Sequence, residues 1–258
     1  MGKMKDLAIS QLNNDKYFRV IAAANGEAAD LYLYGYIGQM GWESSDEDIT
    51  DLAVTRAIRE LENQYSRINI RINSPGGSVL HGDPIVTAIK NSKADIHTYV
   101  DGMAASMAFD IWVSAKNRHA SAHSKLMVHA TSTIAFGTAK DMRAAADMLD
   151  KFDETSIASF SAATGISEEE ARTRFYDYED HWLTAKDAQA MGLIEKVEDY
   201  AVANPVAEPE KLTFRQLLNQ VSRMEAMTEA IEIKDESLQD SWRMDYLNRR
   251  NSLFTKIL

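Results

Sequence analysis

Polar and apolar residues alternate at every position of RINIRI, residues 67–72. A period of two points the isoleucines to one face of an extended chain, which predicts a half-buried strand. YFRVIAAA (17–24), LYLYGYI (31–37), DIHTYV (95–100) and KLMVHA (125–130) are short apolar or aromatic runs bounded by polar clusters, and they also predict strands. Between them the period lengthens. In DEDITDLAVTRAIRELEN (46–63), Ile49, Leu52, Ala53, Ala57, Ile58 and Leu61 recur at helical spacing, and Asp46 and Asp48 complement the positive end of that helix. VLHGDPIVTAIKNS (79–92) predicts a helix whose first turn is made irregular by Gly82 and Pro84. MAFDIWVSA (107–115) predicts an apolar helix. NSPGGS (73–78) and DGMAAS (101–106) read as turns.

The longest helical pattern covers 138–163, with Met142, Ala145, Leu149, Phe152 and Ile157 along one stripe and Gly165 as its C-cap. Ser167 and Glu170 form a capping-box pattern opening SEEEARTRF. A short helix from Thr184 and a strand after Gly192 close the region. Strand–turn–helix units joined by short loops predict an α/β domain with parallel neighbours. Near residue 200 the character changes. ANPVAEPEK (203–211) holds two of the four prolines and reads as a linker, and the rest is amphipathic but too short to bury much core alone. The expected organisation is one domain over 1–200 and a linker with a helical tail over 201–258.

Composition narrows the function classes. The net charge of −11 provides no overall positive field for phosphates, so nucleic acid is not an expected partner. The chain has no cysteine, which removes disulfides, thiolate zinc sites and cysteine nucleophiles. No apolar run approaches the ~20 residues of a membrane helix. The start, MGKMKDLAISQLNNDKYF, lacks the apolar region of a secretory signal. A cytoplasmic protein without a membrane partner is expected.

Four features could carry chemistry. Ser106, the one hydroxyl in DGMAASMAF, falls where a strand gives way to a helix. It reads as a helix N-cap, or as a nucleophile on a tight turn whose next backbone N–H faces an oxyanion. Gly76-Gly77 reads as a simple turn, or as a place where main-chain N–H groups face a ligand. His129, ending KLMVHA, reads as structural or as a general base. No metal-binding spacing surrounds it, so neither a metal nor a cofactor is expected. Asp180 reads as a surface acid, although its aromatic neighbours predict partial burial and pairing. Together the four supply nucleophile, base, orienting acid and oxyanion donor, in the chain order Ser, His, Asp.

INSPGGSV, VDGMAASMA, LMVHA and EDHWLTAKDAQAMGLIEKV, in this order over residues ~30–198, resemble the Clp protease proteolytic-subunit family of serine peptidases. YVDGMAAS, and TIAFGTAKDMRAAADMLDK after the histidine, are most similar to the Clp-like head maturation proteases of tailed bacteriophages and prophages. The resemblance implies Ser106 as nucleophile, His129 as base, Asp180 as its orienter, and the N–H groups of Gly77 and Met107 as the oxyanion hole. It implies a ClpP/crotonase-like spiral of β-α-β units with a protruding handle helix at about 137–165. It further implies homo-oligomeric rings, heptamers or paired heptamers, with no cofactor. The implied substrates are scaffold and capsid precursors, in the host cytoplasm or the phage prohead. Ala130-Thr131 stands where housekeeping members have Gln-Pro, and GQMGWESSDEDITD (38–51) departs from their ATPase-facing segment, which argues against an ATPase unfoldase as partner. Three alternatives stay open: a housekeeping degradative subunit, a crotonase-type acyl-CoA enzyme, and a non-enzymatic assembly ring.

Overall fold

The structure, a computed structural model, describes residues 18–22, 28–38 and 49–198. The acidic start at Asp46–Asp48, the linker and the C-terminal tail lie outside the described residues. In chain order the elements are β1 (Phe18–Ala22), β2 (Ala28–Ile37), α1 (Asp51–Glu62), β3 (Arg67–Gly77), α2 (Val79–Asn91), β4 (Asp95–Ala105), α3 (Met107–Val113), β5 (Asn117–Ala120), β6 (Lys125–Val128), α4 (Ala139–Thr164), α5 (Glu168–Phe175), β7 (His181–Thr184) and α6 (Ala185–Ala190). One sheet joins all seven strands in the order β1-β2-β3-β4-β6-β7, with β5 also pairing β4. The centre is parallel, as the strand–helix alternation predicts, while β1–β2 and β6–β7 are antiparallel.

Alternation decides which face of β3 is inside. Ile68, Ile70 and Ile72 are buried in the core, with Val54, Ala57, Ile58 and Leu61 of α1 among their core neighbours. Arg67, Asn69 and Arg71 point the other way, into a polar layer: Asn69 donates to Asp30 at 2.7 Å, and Arg71 pairs with Asp101. The short helix α3 buries six of its seven side chains, as a helix apolar on nearly every side must. Trp112 and Phe109 within it are fully enclosed.

α4 has 26 residues and is about 39 Å long at 1.5 Å per residue. Its C-terminal half is anchored by Ile157 and Phe160, the latter 5.9 Å from Phe109 and 4.9 Å from Phe175 between ring centres. Its N-terminal half leaves Met142 and Met148 exposed, as does the preceding loop with Ile134 and Phe136. Gly165 ends it at φ +80°, the left-handed cap read from the sequence.

Several expectations need correction. NSPGGS and DGMAAS are not turns: β3 continues to Gly77 and β4 to Ala105. Glycines at φ +96° (Gly76) and +151° (Gly77) let the chain follow β2 past a register shift, pairing Gly76 with Tyr36 and Gly77 with Ile37. Leu52 is exposed, because the buried stripe of α1 runs through Val54 instead. α2 is helical from Val79 despite Gly82 and Pro84. A side chain at Gly82 would sit 2.2 Å from Met107, so the glycine gives α2 its close approach to α3. NRHA forms β5 without any alternation to signal it. Among the described residues, no strand follows Gly192; a bridge between Ser121 and Glu198 forms there, and the strand at that edge is HWLT.

Candidate active site

β4 pairs with β3 on one side and with two further parallel neighbours on the other. Its first half pairs with β5, His97 to Val100 against Asn117 to Ala120, and its last residues pair with β6. The final pair is Ala105 with Met127, so Ser106 leaves β4 beside the end of β6, and its N–H donates to Met127 O at 2.9 Å. Across β6 the antiparallel ladder to β7 matches Val128 with His181. The next positions outward on these two strands are His129 and Asp180. Register alone therefore carries three residues, 23 and 51 positions apart, to one end of the sheet.

Their side chains meet there. His129 Nε2 lies 2.8 Å from Ser106 Oγ, and His129 Nδ1 lies 3.0 Å from Asp180 Oδ1. With Nδ1–H donating to the carboxylate, Nε2 is left to accept the serine O–H. Ser106 sits at φ 54°, ψ −129°, a strained conformation for a residue with a Cβ that costs about 1–3 kcal/mol. The N-cap reading of its side chain fails: Oγ makes no bond to the helix and is turned to His129. The backbone is held instead, Ser106 O accepting from Phe109 N at 2.7 Å and Asp110 N at 3.2 Å. Met107 opens α3, where an N–H has no carbonyl partner within its own helix.

The glycine pair forms the opposite wall. A Cβ on Gly76 would lie 2.5 Å from Ala105 O and 2.8 Å from Ser106 Cβ, and one on Gly77 only 2.0 Å from Ile37 O. Gly76→Ala is expected to displace the Ser106 turn. Any turnover that depends on Ser106 should fall on the order of 100-fold in kcat/KM, the usual consequence of a ~1 Å misplacement. Activity assays beside thermal melting check this; wild-type activity would show that the wall can yield.

Gly77, Ser106, Met107 and His129 line one cleft with Val79 and Asp110. The structure thus brings Gly77, Ser106, Met107 and His129 to one cleft, with Asp180 joined to it through His129. Asp180 departs from expectation in burial: its side chain is 60% exposed, since it precedes the edge strand, whereas His129 is 23% exposed. Sequence reasoning missed three supports. Asp153 of α4, 3% exposed, accepts from Thr131 N at 2.7 Å and fixes the chain two residues beyond His129. Asn73 Oδ1 accepts from Met103 N at 3.2 Å and lies so close to Gly102 that a side chain there would clash at 2.6 Å. Asp110 breaks the apolar run MAFDIWV and is part of the cleft lining, and that interruption was a readable signal. Burial pushes its carboxyl up to about 7, against the opposing hydrogen bond from Ser156. Among the described residues no cluster of three or more His, Cys, Asp or Glu is placed to hold a metal ion. No helix among them is long and apolar enough to cross a membrane.

The family model described as Clp protease matches residues 38–201, well over half of the chain. The chain belongs to the Clp protease family. Members of this family are serine peptidases, so the protein is a serine-type hydrolase. A Clp protease proteolytic subunit 2 of Corynebacterium efficiens, named as ATP-dependent, is 31% identical over 175 residues, covering 67% of this chain and 87% of that protein. Another, from a Synechococcus species, is 34% identical over 191 residues, covering 72% and 96%. Among solved structures, a ClpP1 mutant from Listeria monocytogenes superposes with a TM-score of 0.56 at 23% identity, over 68% of this chain and 93% of that one. That likeness establishes the α/β ClpP-like fold.

Proposed function

We propose that this protein is an endopeptidase in which Ser106 is the nucleophile, His129 the general base and Asp180 its orienter. The observation that carries this reading is the hydrogen-bond line from Ser106 Oγ through both ring nitrogens of His129 to Asp180. Ser106 Oγ bonds to the scissile carbonyl carbon while its proton passes to His129 Nε2. The N–H groups of Gly77 and Met107 stabilise the tetrahedral oxyanion. The C–N bond then breaks, Nε2 returns the proton to the leaving amine, and a water repeats the sequence to release the acyl group. The protease domain is residues 1–200 with its handle at about 137–165, followed by the tail over 201–258. Self-association into rings is supported by the exposed apolar side chains Ile134, Phe136, Met142 and Met148 on the handle and its approach.

Scaffold and capsid precursors are the proposed substrates, on the strength of the similarity of YVDGMAAS and the segment after His129 to phage head maturation proteases. The names of the curated relatives favour a second reading, a degradative subunit working with an ATPase. A fluorophosphonate probe tests the site: wild type should label and Ser106→Ala should not, and equal labelling would overturn the nucleophile. Cleavage of a folded capsid precursor without ATP supports the first substrate class. Cleavage only with an unfoldase and ATP supports the second.

A further inference from the structure

The cleft beside Ser106 takes apolar lining from Val79, Met107 and Val128 and polar lining from Thr131 and Ser132, and a carboxylic acid residue completes it. That group is Asp110, one helical turn beyond Ser106 on α3, where residues four apart lie about 5–6 Å from each other. Ser156 of α4 donates to its Oδ2 at 3.0 Å. Oδ1 has no hydrogen-bond partner among the described residues. The charged and titratable groups around it come from every packed element: Asp83 and Lys90 from α2, Asp153 from α4, Tyr176 after α5, and His129 across the cleft. Asp83 and Asp153 make a negative charge at Asp110 less favourable, and Lys90, whose ammonium donates to Ser159 at 3.0 Å, offsets this least. Asp110 is therefore a carboxylate beside the nucleophile with no ion-pair partner among the described residues.

We propose that Asp110 is a specificity residue that favours lysine or arginine at the substrate position whose carbonyl is attacked. This rests on Ser106 being the nucleophile, since the side chain of the acylating residue then enters the cleft next to it. The methylenes of a long cationic side chain lie along the half-buried Val79, and its charged end supplies Oδ1 with a donor. A neutral aliphatic side chain fills the same walls but leaves the carboxylate unpaired, which a partly dry cleft penalises.

The selectivity depends on pH in a defined direction. Burial holds the Asp110 carboxyl near 7, so below that pH it is protonated and neutral, and above it the anion forms. The preference for a cationic side chain must grow as pH rises from 6 to 8, by about tenfold for a single group titrating near 7.

Peptidyl-coumarin substrates identical except for a terminal Lys, Arg, Leu or Gln test this on the full-length protein, with active sites counted by fluorophosphonate labelling. The quantity read is the ratio of kcat/KM for Lys over Leu, in which the titration of His129 cancels. Wild type should favour Lys and Arg by about 10- to 100-fold at pH 8, the effect of one hydrogen bond to a charged group. Asp110→Asn should reduce that ratio by a similar factor and remove its pH dependence, while Asp110→Glu should retain a basic preference. If Asp110→Asn does not fold, the rise of the wild-type ratio with pH decides alone. A wild-type ratio at or below one, or an Asp110→Asn variant that lowers all four substrates equally, overturns the proposal. Ser106→Ala must abolish all four activities; if it does not, the nucleophile assignment has failed instead.

Discussion

Ser106→Ala should lower kcat for peptide hydrolysis by about 10^6-fold, with KM little changed. In the proposed mechanism, removing Oγ deletes the atom that bonds to substrate, and His129 then has no proton to accept from it. The remaining rate is expected from the proposed oxyanion hole at the Gly77 and Met107 N–H groups and from peptide binding, which still position a water. The fold should survive. The substitution deletes one hydrogen bond, to His129 Nε2, and keeps the same positive-φ backbone position, so stability should change by only about 1 kcal/mol. Single-turnover kinetics beside a melting curve check both halves. A loss of less than about 100-fold with an intact fold would mean that another group attacks the peptide.

Asp180→Asn should cost about 10^3- to 10^4-fold in kcat and little in KM. Asparagine can donate from its amide to His129 Nδ1 and so stabilise the tautomer carrying the proton on Nε2. That ring can no longer accept the Ser106 proton. Two effects compete over the magnitude. Asp180 is 60% exposed in the single chain, so its Coulombic support of an imidazolium is screened by water. The tautomer effect is not screened, because it depends on which atom donates in one hydrogen bond. A deficit below tenfold would show that the Asp180 contact is incidental. A deficit above 10^3-fold in a variant that still labels slowly with fluorophosphonate is the expected pattern.

Much of the site was legible in the sequence because its residue types and their surroundings are unusual. Ser106 follows four residues that include Gly102, Ala104 and Ala105, a run with too little side chain to fill space around it. Gly76 and Gly77 are adjacent, and both have positive φ. What misled was reading these small-residue stretches as turns. Glycine allows a turn but also allows a strand to continue through a bulge, and pairing with β2 and β6 selects the second outcome. β5 went unread because NRHA has no alternation; it is a strand through its pairing with β4. Asp153 could not have been assigned from the sequence, since an acid in a long charged helix gives no sign that Thr131 N will donate to it.

The sequence by itself determined the alternation that buries Ile68, Ile70 and Ile72, the parallel α/β order of the units, the caps at Gly165 and Ser167, and the candidate trio of Ser106, His129 and Asp180. These follow from local periodicity and residue chemistry, which act over a few positions. Only the tertiary structure decided that the trio converges, that Ser106 faces a histidine rather than capping its helix, and that Asp110 shares their cleft. The reason is strand register: Ala105 opposite Met127 and Val128 opposite His181 are non-local pairings, and a slip of one residue in either would turn the site's side chains to the wrong face.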